Sequence, residues 1–119
     1  MKKILIVDDD ADLRELMKIS LEMTGYIVLT ADTCAEGIKT FYHEMPDIVL
    51  LDIDIHNDDG RGVCREIKAN TIYRQIPVIM LSGNLVALET FRACGASDRM
   101  AKPFDLKLLE EKIKYYLAA

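Results

Sequence analysis

Hydrophobic and polar positions follow two alternating patterns along the chain. Short apolar runs rich in β-branched residues are typical of strands that are buried on both faces of a sheet. These runs are Ile4–Val7, Tyr26–Leu29, Ile48–Leu51, Val78–Leu81 and a weaker one around Arg99–Ala101. The segments between and after them repeat apolar residues at helical spacing. The repeated residues are Leu13, Leu16, Met17 and Leu21; Ile38, Phe41 and Tyr42; Val63 and Ile67; Leu88 and Phe91; and Leu106, Leu109 and Ile113.

Capping and turn residues mark the ends of these predicted helices. Asp10, Thr33 and Asp105 stand where N-caps would begin the first, second and last helices. Gly25 and Gly95 stand where helices would end. Five strands that alternate with helices predict an α/β fold, with a mostly parallel sheet flanked by helices on both faces.

Length and charge narrow the class of protein. The 119 residues suit one domain, which we expect to span residues 1–119. The formal charge of −5 argues against direct binding to nucleic acid or to anionic membranes. The apolar runs are far shorter than a membrane span, and Asp8 ends the first run too early for a signal peptide. We therefore expect a cytoplasmic protein.

The three cysteines do not form a recognisable metal or disulfide pattern. Cys34, Cys64 and Cys94 are an odd number and include no CxxC pair. We expect reduced thiols that pack in or near helices.

Polar residues follow four of the five predicted strands. Asp8 and Asp9 follow the first, Asp52 the third, Ser82 the fourth and Lys102 the fifth. Ligands of open α/β sheets bind beyond the carboxyl ends of the strands, so these side chains are expected to meet. Clustered carboxylates repel each other unless a cation intervenes, and Mg²⁺ prefers oxygen ligands. A lysine and a serine can hold an anion, so the set is suited to holding a phosphoryl group, with an aspartate as nucleophile.

These residues resemble the receiver domain of two-component response regulators over essentially the whole chain. The features that carry the resemblance are the Asp8-Asp9 pair, Asp52 after its apolar run, Asp59-Gly60, Ser82-Gly83, Gly95-Ala96 and Lys102-Pro103-Phe104. The resemblance implies a five-stranded parallel sheet of order 2-1-3-4-5 flanked by five helices, the flavodoxin-like or CheY-like arrangement. It also implies a phosphoacceptor signalling domain, in which a kinase supplies the phosphoryl group.

The resemblance assigns a role to each matching position. Asp52 is expected to accept the phosphoryl group, and Ser82 and Lys102 to bind it. Asp9, Asp52 and the backbone carbonyl of Asp54 are expected to bind Mg²⁺ directly, and Asp8 to bind it through water. The implied partners are a sensor histidine kinase or phosphotransfer protein and an output protein or fused effector domain. The resemblance also implies that the domain can dimerise when it is phosphorylated. In this family the peptide bond that corresponds to Lys102–Pro103 is often cis.

Three positions depart from the family pattern. Arg99 stands where a switching Tyr or Phe is usual, so the output face is expected to signal differently. His56 stands where Pro is common, which predicts a looser loop, and Gly83 replaces a frequent Ala. We expect Arg99, His43 and His56 to be exposed.

Two other functions are compatible with parts of the pattern. Asp52-Ile53-Asp54 also matches the Asp-x-Asp of haloacid-dehalogenase-type phosphatases, although the order of the remaining motifs differs. A pseudo-receiver that serves only as a docking module is the second alternative. The intact Asp9, Asp52, Ser82 and Lys102 argue against it.

Overall fold

The computed structural model describes residues 1–118, in which one five-stranded parallel sheet forms the centre. The strands are β1 (Lys3–Val7), β2 (Ile27–Ala31), β3 (Ile48–Asp52), β4 (Val78–Ser82) and β5 (Asp98–Ala101). Their order is β2-β1-β3-β4-β5, with every neighbouring pair parallel. The predicted fold class and strand order are therefore confirmed. Observed β2 begins one residue later than predicted and extends to Ala31.

Within residues 1–118, four helices connect the strands and a fifth follows β5. They are α1 (Ala11–Met23), α2 (Cys34–Glu44), α3 (Arg61–Ala69), α4 (Leu85–Leu88) and α5 (Leu106–Leu117). The predicted caps are observed, since the side chains of Asp10, Thr33 and Asp105 each accept a hydrogen bond from a backbone N–H in the first turn. None of the helices within residues 1–118 combines the length and the apolar character that a membrane crossing requires.

The fourth helix is shorter than the sequence pattern predicts. The spacing of Leu88 and Phe91 predicts a helix over both residues, but α4 ends at Leu88 after about one turn. Tighter turns follow, in which the Phe91 N–H donates to the Leu88 carbonyl at 3.2 Å. A three-residue step places Phe91 toward the core almost as an α-helix would, so the periodicity cannot distinguish the two structures.

The core lies on both faces of the sheet. Alternate strand residues point to opposite sides, so Leu5 and Val7 belong to one cluster and Ile4 and Ile6 to the other. Helices α1 and α5 cover the Ile4 side, while α2, α3 and α4 cover the Leu5 side. Strand β3 is buried along its whole length. This central position fixes the backbone that ends in Asp52.

A short hairpin follows β3 where a looser loop is expected. Residues Asp54–Ile55 pair antiparallel with Asp58–Asp59, and the two residues between them turn the chain. Those residues, His56 and Asn57, have φ of 47° and 66°. Two successive positive φ values match the tight hairpin turn that the twist of paired strands favours. The loop is therefore more regular than the substitution of the family's Pro predicts.

Candidate functional site

The carboxyl ends of the parallel strands bring the predicted site residues together. Carboxylate oxygens of Asp8, Asp9 and Asp52 all lie within 4.8 Å of one another. Ser82 is the last residue of β4, and the Lys102 N–H donates to its carbonyl oxygen at 2.9 Å. We call Asp8, Asp9 and Asp52 the carboxylate cluster.

Lys102 bridges two members of the carboxylate cluster. Its ammonium group donates to Oδ2 of Asp8 at 2.8 Å and to Oδ2 of Asp52 at 3.2 Å. The Asp8 side chain is only 1% exposed, whereas that of Lys102 is 20% exposed. Lys102 therefore neutralises a buried charge while its own end remains within reach of solvent.

Asp52 is a carboxyl group in an unfavourable electrostatic environment. Burial, followed by repulsion from Asp8, raises its pKa to about 6, against the opposing attraction of Lys102. Burial by itself lowers the pKa of Lys102, but its hydrogen bond to Asp8 and the charges of Asp8 and Asp52 outweigh that effect and raise it. The Asp52 carboxyl therefore takes up a proton more readily than an ordinary aspartate.

Asp8 and Asp9 are held by different contacts. Oδ1 of Asp8 accepts a hydrogen bond from the Asp10 N–H at 2.9 Å. The Arg14 guanidinium donates to the Asp8 carbonyl oxygen at 2.8 Å. Oδ2 of Asp9 accepts the N–H of His56 at 2.9 Å, so the hairpin orients this carboxylate. The sequence pattern does not reveal the contacts of Arg14 and His56, because both depend on how the chain folds back.

The cluster has a donor set that fits a hard divalent cation. Three carboxylates and the Lys102 ammonium give the cluster a formal net charge of −2. All the available cluster ligands are carboxylate oxygens, which suit Mg²⁺ better than the nitrogen or sulfur ligands of a zinc site. The chain thus contains an acidic cluster that can hold a metal ion. The side chain of Asp54 is exposed and lies outside this cluster.

Ser82 is buried at the end of β4, with 1% of its surface exposed. Its hydroxyl oxygen accepts a hydrogen bond from the Asn84 N–H at 3.0 Å. Asn84 in turn caps α4 by accepting from the Ala87 N–H. Ser82 therefore links the site directly to the start of α4.

Gly60 holds the hairpin loop against the backbone of Asp52. A Cβ atom at residue 60 would lie 1.9 Å from the Asp52 carbonyl oxygen. The Gly60 N–H donates to the Ile53 carbonyl oxygen at 2.6 Å. The sequence identifies Gly60 only through the family pattern, whereas the structure shows that no larger residue fits beside Asp52.

Arg99 lies three residues before Lys102, at the position where the sequence resemblance implies an aromatic switch residue. Its guanidinium carbon lies 4.6 Å from the centre of the Phe91 ring, within the range of a cation–π contact. It also pairs with Glu89 at 3.5 Å. The side chain is 38% exposed, so Arg99 is partly covered and lies against the segment that follows α4.

An apolar groove opens beside Lys102. Its volume is about 450 Å³. Its lining includes apolar residues of α1 and of the chain around the start of α5, namely Leu13, Leu16, Pro103, Phe104 and Leu106. Leu16 is 53% exposed. The carboxylate cluster is therefore bordered by a surface on which an apolar partner can pack.

A family model and curated relatives both match this chain in sequence. The family description "Response regulator receiver domain" matches residues 4–114. A protein of Guillardia theta named "Probable transcriptional regulator ycf27" is 42% identical over 118 residues, which cover 98% of this chain and 45% of that protein. The "Alkaline phosphatase synthesis transcriptional regulatory protein PhoP" of Bacillus subtilis is 33% identical over 122 residues, which cover 98% of this chain and 48% of that protein. The chain thus spans about half the length of these curated relatives.

Solved structures are similar over nearly the whole chain. A CheY-like receiver domain protein from Methanospirillum hungatei aligns with a TM-score of 0.91 at 31% identity, covering 99% of this chain and 94% of that chain. The receiver domain of NtrX from Brucella abortus aligns with a TM-score of 0.88 at 30% identity, covering 98% of each chain. These similarities do not favour the haloacid-dehalogenase alternative. The chain belongs to the response regulator receiver domain family, a signalling domain of two-component systems.

Proposed function

We propose that Asp52 accepts a phosphoryl group and that this modification switches the conformation of the domain. The observation that carries the proposal is the position of the Asp52 carboxylate, which lies within the carboxylate cluster and 3.2 Å from the Lys102 ammonium. We further propose that residues 1–119 act as a single receiver domain.

The proposed transfer uses groups that are already in place. An Asp52 carboxylate oxygen attacks the phosphorus of a phosphohistidine, the P–N bond breaks, and the imidazole nitrogen keeps the electron pair and takes up a proton. The acyl phosphate adds negative charge beside Lys102 and Ser82. Lys102 neutralises part of this charge, and the Ser82 hydroxyl, whose oxygen accepts from the Asn84 N–H, donates to a phosphoryl oxygen.

A Mg²⁺ ion is the proposed cofactor. Asp9, Asp52 and the Asp54 backbone carbonyl are the proposed direct ligands, with Asp8 acting through water. Both side-chain oxygens of Asp8 already accept hydrogen bonds, one from the Lys102 ammonium and one from the Asp10 N–H, which supports an indirect role for Asp8. When bound, Mg²⁺ supplies positive charge that offsets the growing charge of the phosphoryl oxygens.

The proposed phosphoryl donor is a sensor histidine kinase or a phosphotransfer protein. The apolar groove beside Lys102 supports this, because a partner that packs there would place a histidine next to the carboxylate cluster. The proposed output is a separate protein or a fused effector domain. The names of the relatives favour an output in transcription. A phosphorylation-dependent dimer is included in this proposal.

Incubation with acetyl phosphate followed by intact-mass measurement tests the proposal. The expected result is one Mg²⁺-dependent phosphoryl adduct on the wild type and none on Asp52→Asn. Asp47→Asn is a matched control, because Asp47 lies at the opposite edge of the sheet, where it accepts the Lys3 N–H. Continuous phosphate release without an adduct would indicate a very short-lived acyl phosphate.

The same experiment distinguishes a docking module. If wild type, Asp47→Asn and Asp52→Asn all lack both adduct and phosphate release, the phosphoacceptor proposal is wrong for small donors. Calorimetric titration measures Mg²⁺ binding separately from phosphorylation. It is preferred to tryptophan fluorescence because the chain has no Trp. Loss of the binding heat in Asp9→Asn would support the proposed ligand set.

A further inference from the structure

Two cysteines outside the carboxylate cluster lie against each other between α3 and the turns that precede β5. The Cys64 thiol donates to the backbone carbonyl oxygen of Cys94 at 3.2 Å. The Cys94 thiol donates to the Phe91 carbonyl oxygen at 3.1 Å. Both residues are buried, with 0% and 3% of their surfaces exposed, and both belong to the same core cluster. The contact therefore brings the side chain of Cys64 against the backbone of Cys94 itself.

Gly95 provides independent evidence that the two segments are in close contact. It has a φ of +93°, and a Cβ atom there would lie 2.9 Å from Cγ of Lys68. Lys68 is four residues after Cys64, so the two share one face of α3. That face thus meets residues 94 and 95 at two successive turns of the helix, which holds Cys64 against the segment that carries Cys94.

The two thiols also differ in reactivity. Interaction with the neighbouring Cys64 lowers the pKa of Cys94, whereas interaction with Cys94 and burial raise the pKa of Cys64. Cys94 is also the more exposed of the two. Since the thiolate is the reactive form, Cys94 is the thiol that would react first.

The segment 89–95, which carries Cys94, consists of short turns. Its backbone is held by hydrogen bonds that span three residues, such as Ala93 to Thr90 and Gly95 to Arg92, both at 3.0 Å. Such turns are weaker than an α-helix of several turns and open locally more often.

We propose that Cys64 and Cys94 form a redox modification site, at which a peroxide oxidises the pair to a reversible intramolecular disulfide. The Cys94 thiolate attacks one oxygen of hydrogen peroxide, the O–O bond breaks, and one water and a sulfenic acid form. The Cys64 sulfur then attacks the Cys94 sulfur and releases the second water. Two thiols lose two electrons and two protons in all, and one peroxide becomes two waters.

The disulfide would join α3 to the turns between α4 and β5. Segment 89–95 contains Phe91, on which Arg99 packs, so the bond would restrain the surface around the family's switch position. We expect slower amide hydrogen exchange at residues 89–95 in the oxidised protein and recovery of the original rates after reduction.

The test uses the full chain with Cys34→Ser, which removes the half-buried third thiol. Trypsin cleaves after Arg61, Arg65, Arg92 and Arg99, so the disulfide would link the peptides 62–65 and 93–99. After treatment of the folded protein with hydrogen peroxide, the expected result is the loss of two hydrogen atoms and this linked peptide pair. Dithiothreitol should restore the original mass.

Three results would overturn the proposal. Both thiols could remain reduced, Cys94 could proceed to a sulfinic acid while Cys64 stays free, or the linkage could form only after unfolding in guanidinium. Cys94→Ala in the same background is the matched negative control and should show no linked pair. The peptide mapping is carried out on the Cys34→Ser protein, in which both buried cysteines are unchanged. A folding defect of the Cys94→Ala control would therefore not affect its result. The test is independent of Asp52 phosphorylation.

Discussion

The Lys102 ammonium lies closer to Asp8 than to Asp52, at 2.8 Å from one Oδ2 and 3.2 Å from the other. Asp8 is the more deeply buried of the two carboxylates, with 1% of its side chain exposed against 8%. The lysine therefore offsets the charge that has least access to water. Asp52 receives weaker compensation, so burial and repulsion from Asp8 keep the pKa of its carboxyl raised.

Removal of the Lys102 charge is expected to destabilise the metal-free protein. Lys102→Met keeps most of the aliphatic chain but leaves Asp8 buried without a counter-charge. Loss of one partner of a buried ion pair costs about 3–5 kcal/mol, and the partial exposure of Lys102 places the expected loss near the lower end. Urea unfolding in EDTA measures it. Lys107→Met, at an exposed position of α5, should change the free energy of unfolding by less than about 0.5 kcal/mol.

Asp52→Asn is expected to stabilise the metal-free protein above pH 6. The pKa of Asp52 rises from 3.8 to about 6 on folding, so the folded chain binds more protons than the unfolded chain between these values. Stability contributed by Asp52 therefore falls as the pH rises through this window, by up to about 3 kcal/mol. The difference in unfolding free energy between Asp52→Asn and wild type should grow from pH 4 to pH 7. A difference that is independent of pH would contradict the raised pKa.

Gly60→Ala is expected to disrupt the loop beside Asp52. The added methyl group would lie 1.9 Å from the Asp52 carbonyl oxygen, and backbone must move to admit it. We expect a loss of at least about 2 kcal/mol and slower phosphorylation by acetyl phosphate. Gly62→Ala is the matched control, because nothing lies within 4 Å of its Cβ position in α3. That variant should be neutral or stabilised by up to about 1 kcal/mol.

Arg99→Ala is expected to loosen the segment that follows α4. The change removes both the stacking on Phe91 and the pairing with Glu89, which together contribute on the order of 1 kcal/mol. Arg99→Lys keeps the charge but loses the planar stacking group, so it should recover only part of this loss. Amide exchange at residues 89–95 reports the effect. Equal protection in wild type and Arg99→Ala would show that the contact does not hold the segment.

The chain pattern by itself predicted the fold class and placed the candidate site residues at the ends of the strands. Short apolar runs rich in β-branched residues favour strands buried between two helical layers, and the alternation of strands with helices favours a parallel sheet. Parallel strands end at one edge, so Asp8, Asp9, Asp52, Ser82 and Lys102 had to converge there. These conclusions depend on local periodicity and on the direction of strands, both of which a sequence records.

The tertiary structure alone decided which of these groups touch and where the regular pattern stops. Lys102 meets Asp8 across 94 residues of sequence, and the hairpin brings the His56 N–H to Asp9 across 47. Such pairings depend on side-chain length and on the packing of remote segments, which leave no periodic signal. The end of α4 at Leu88 and the contact of Cys64 with Cys94 are likewise features that the sequence pattern does not reveal. Three-residue turns and helical turns place apolar residues similarly, and neighbouring thiols are visible only after the chain has folded back.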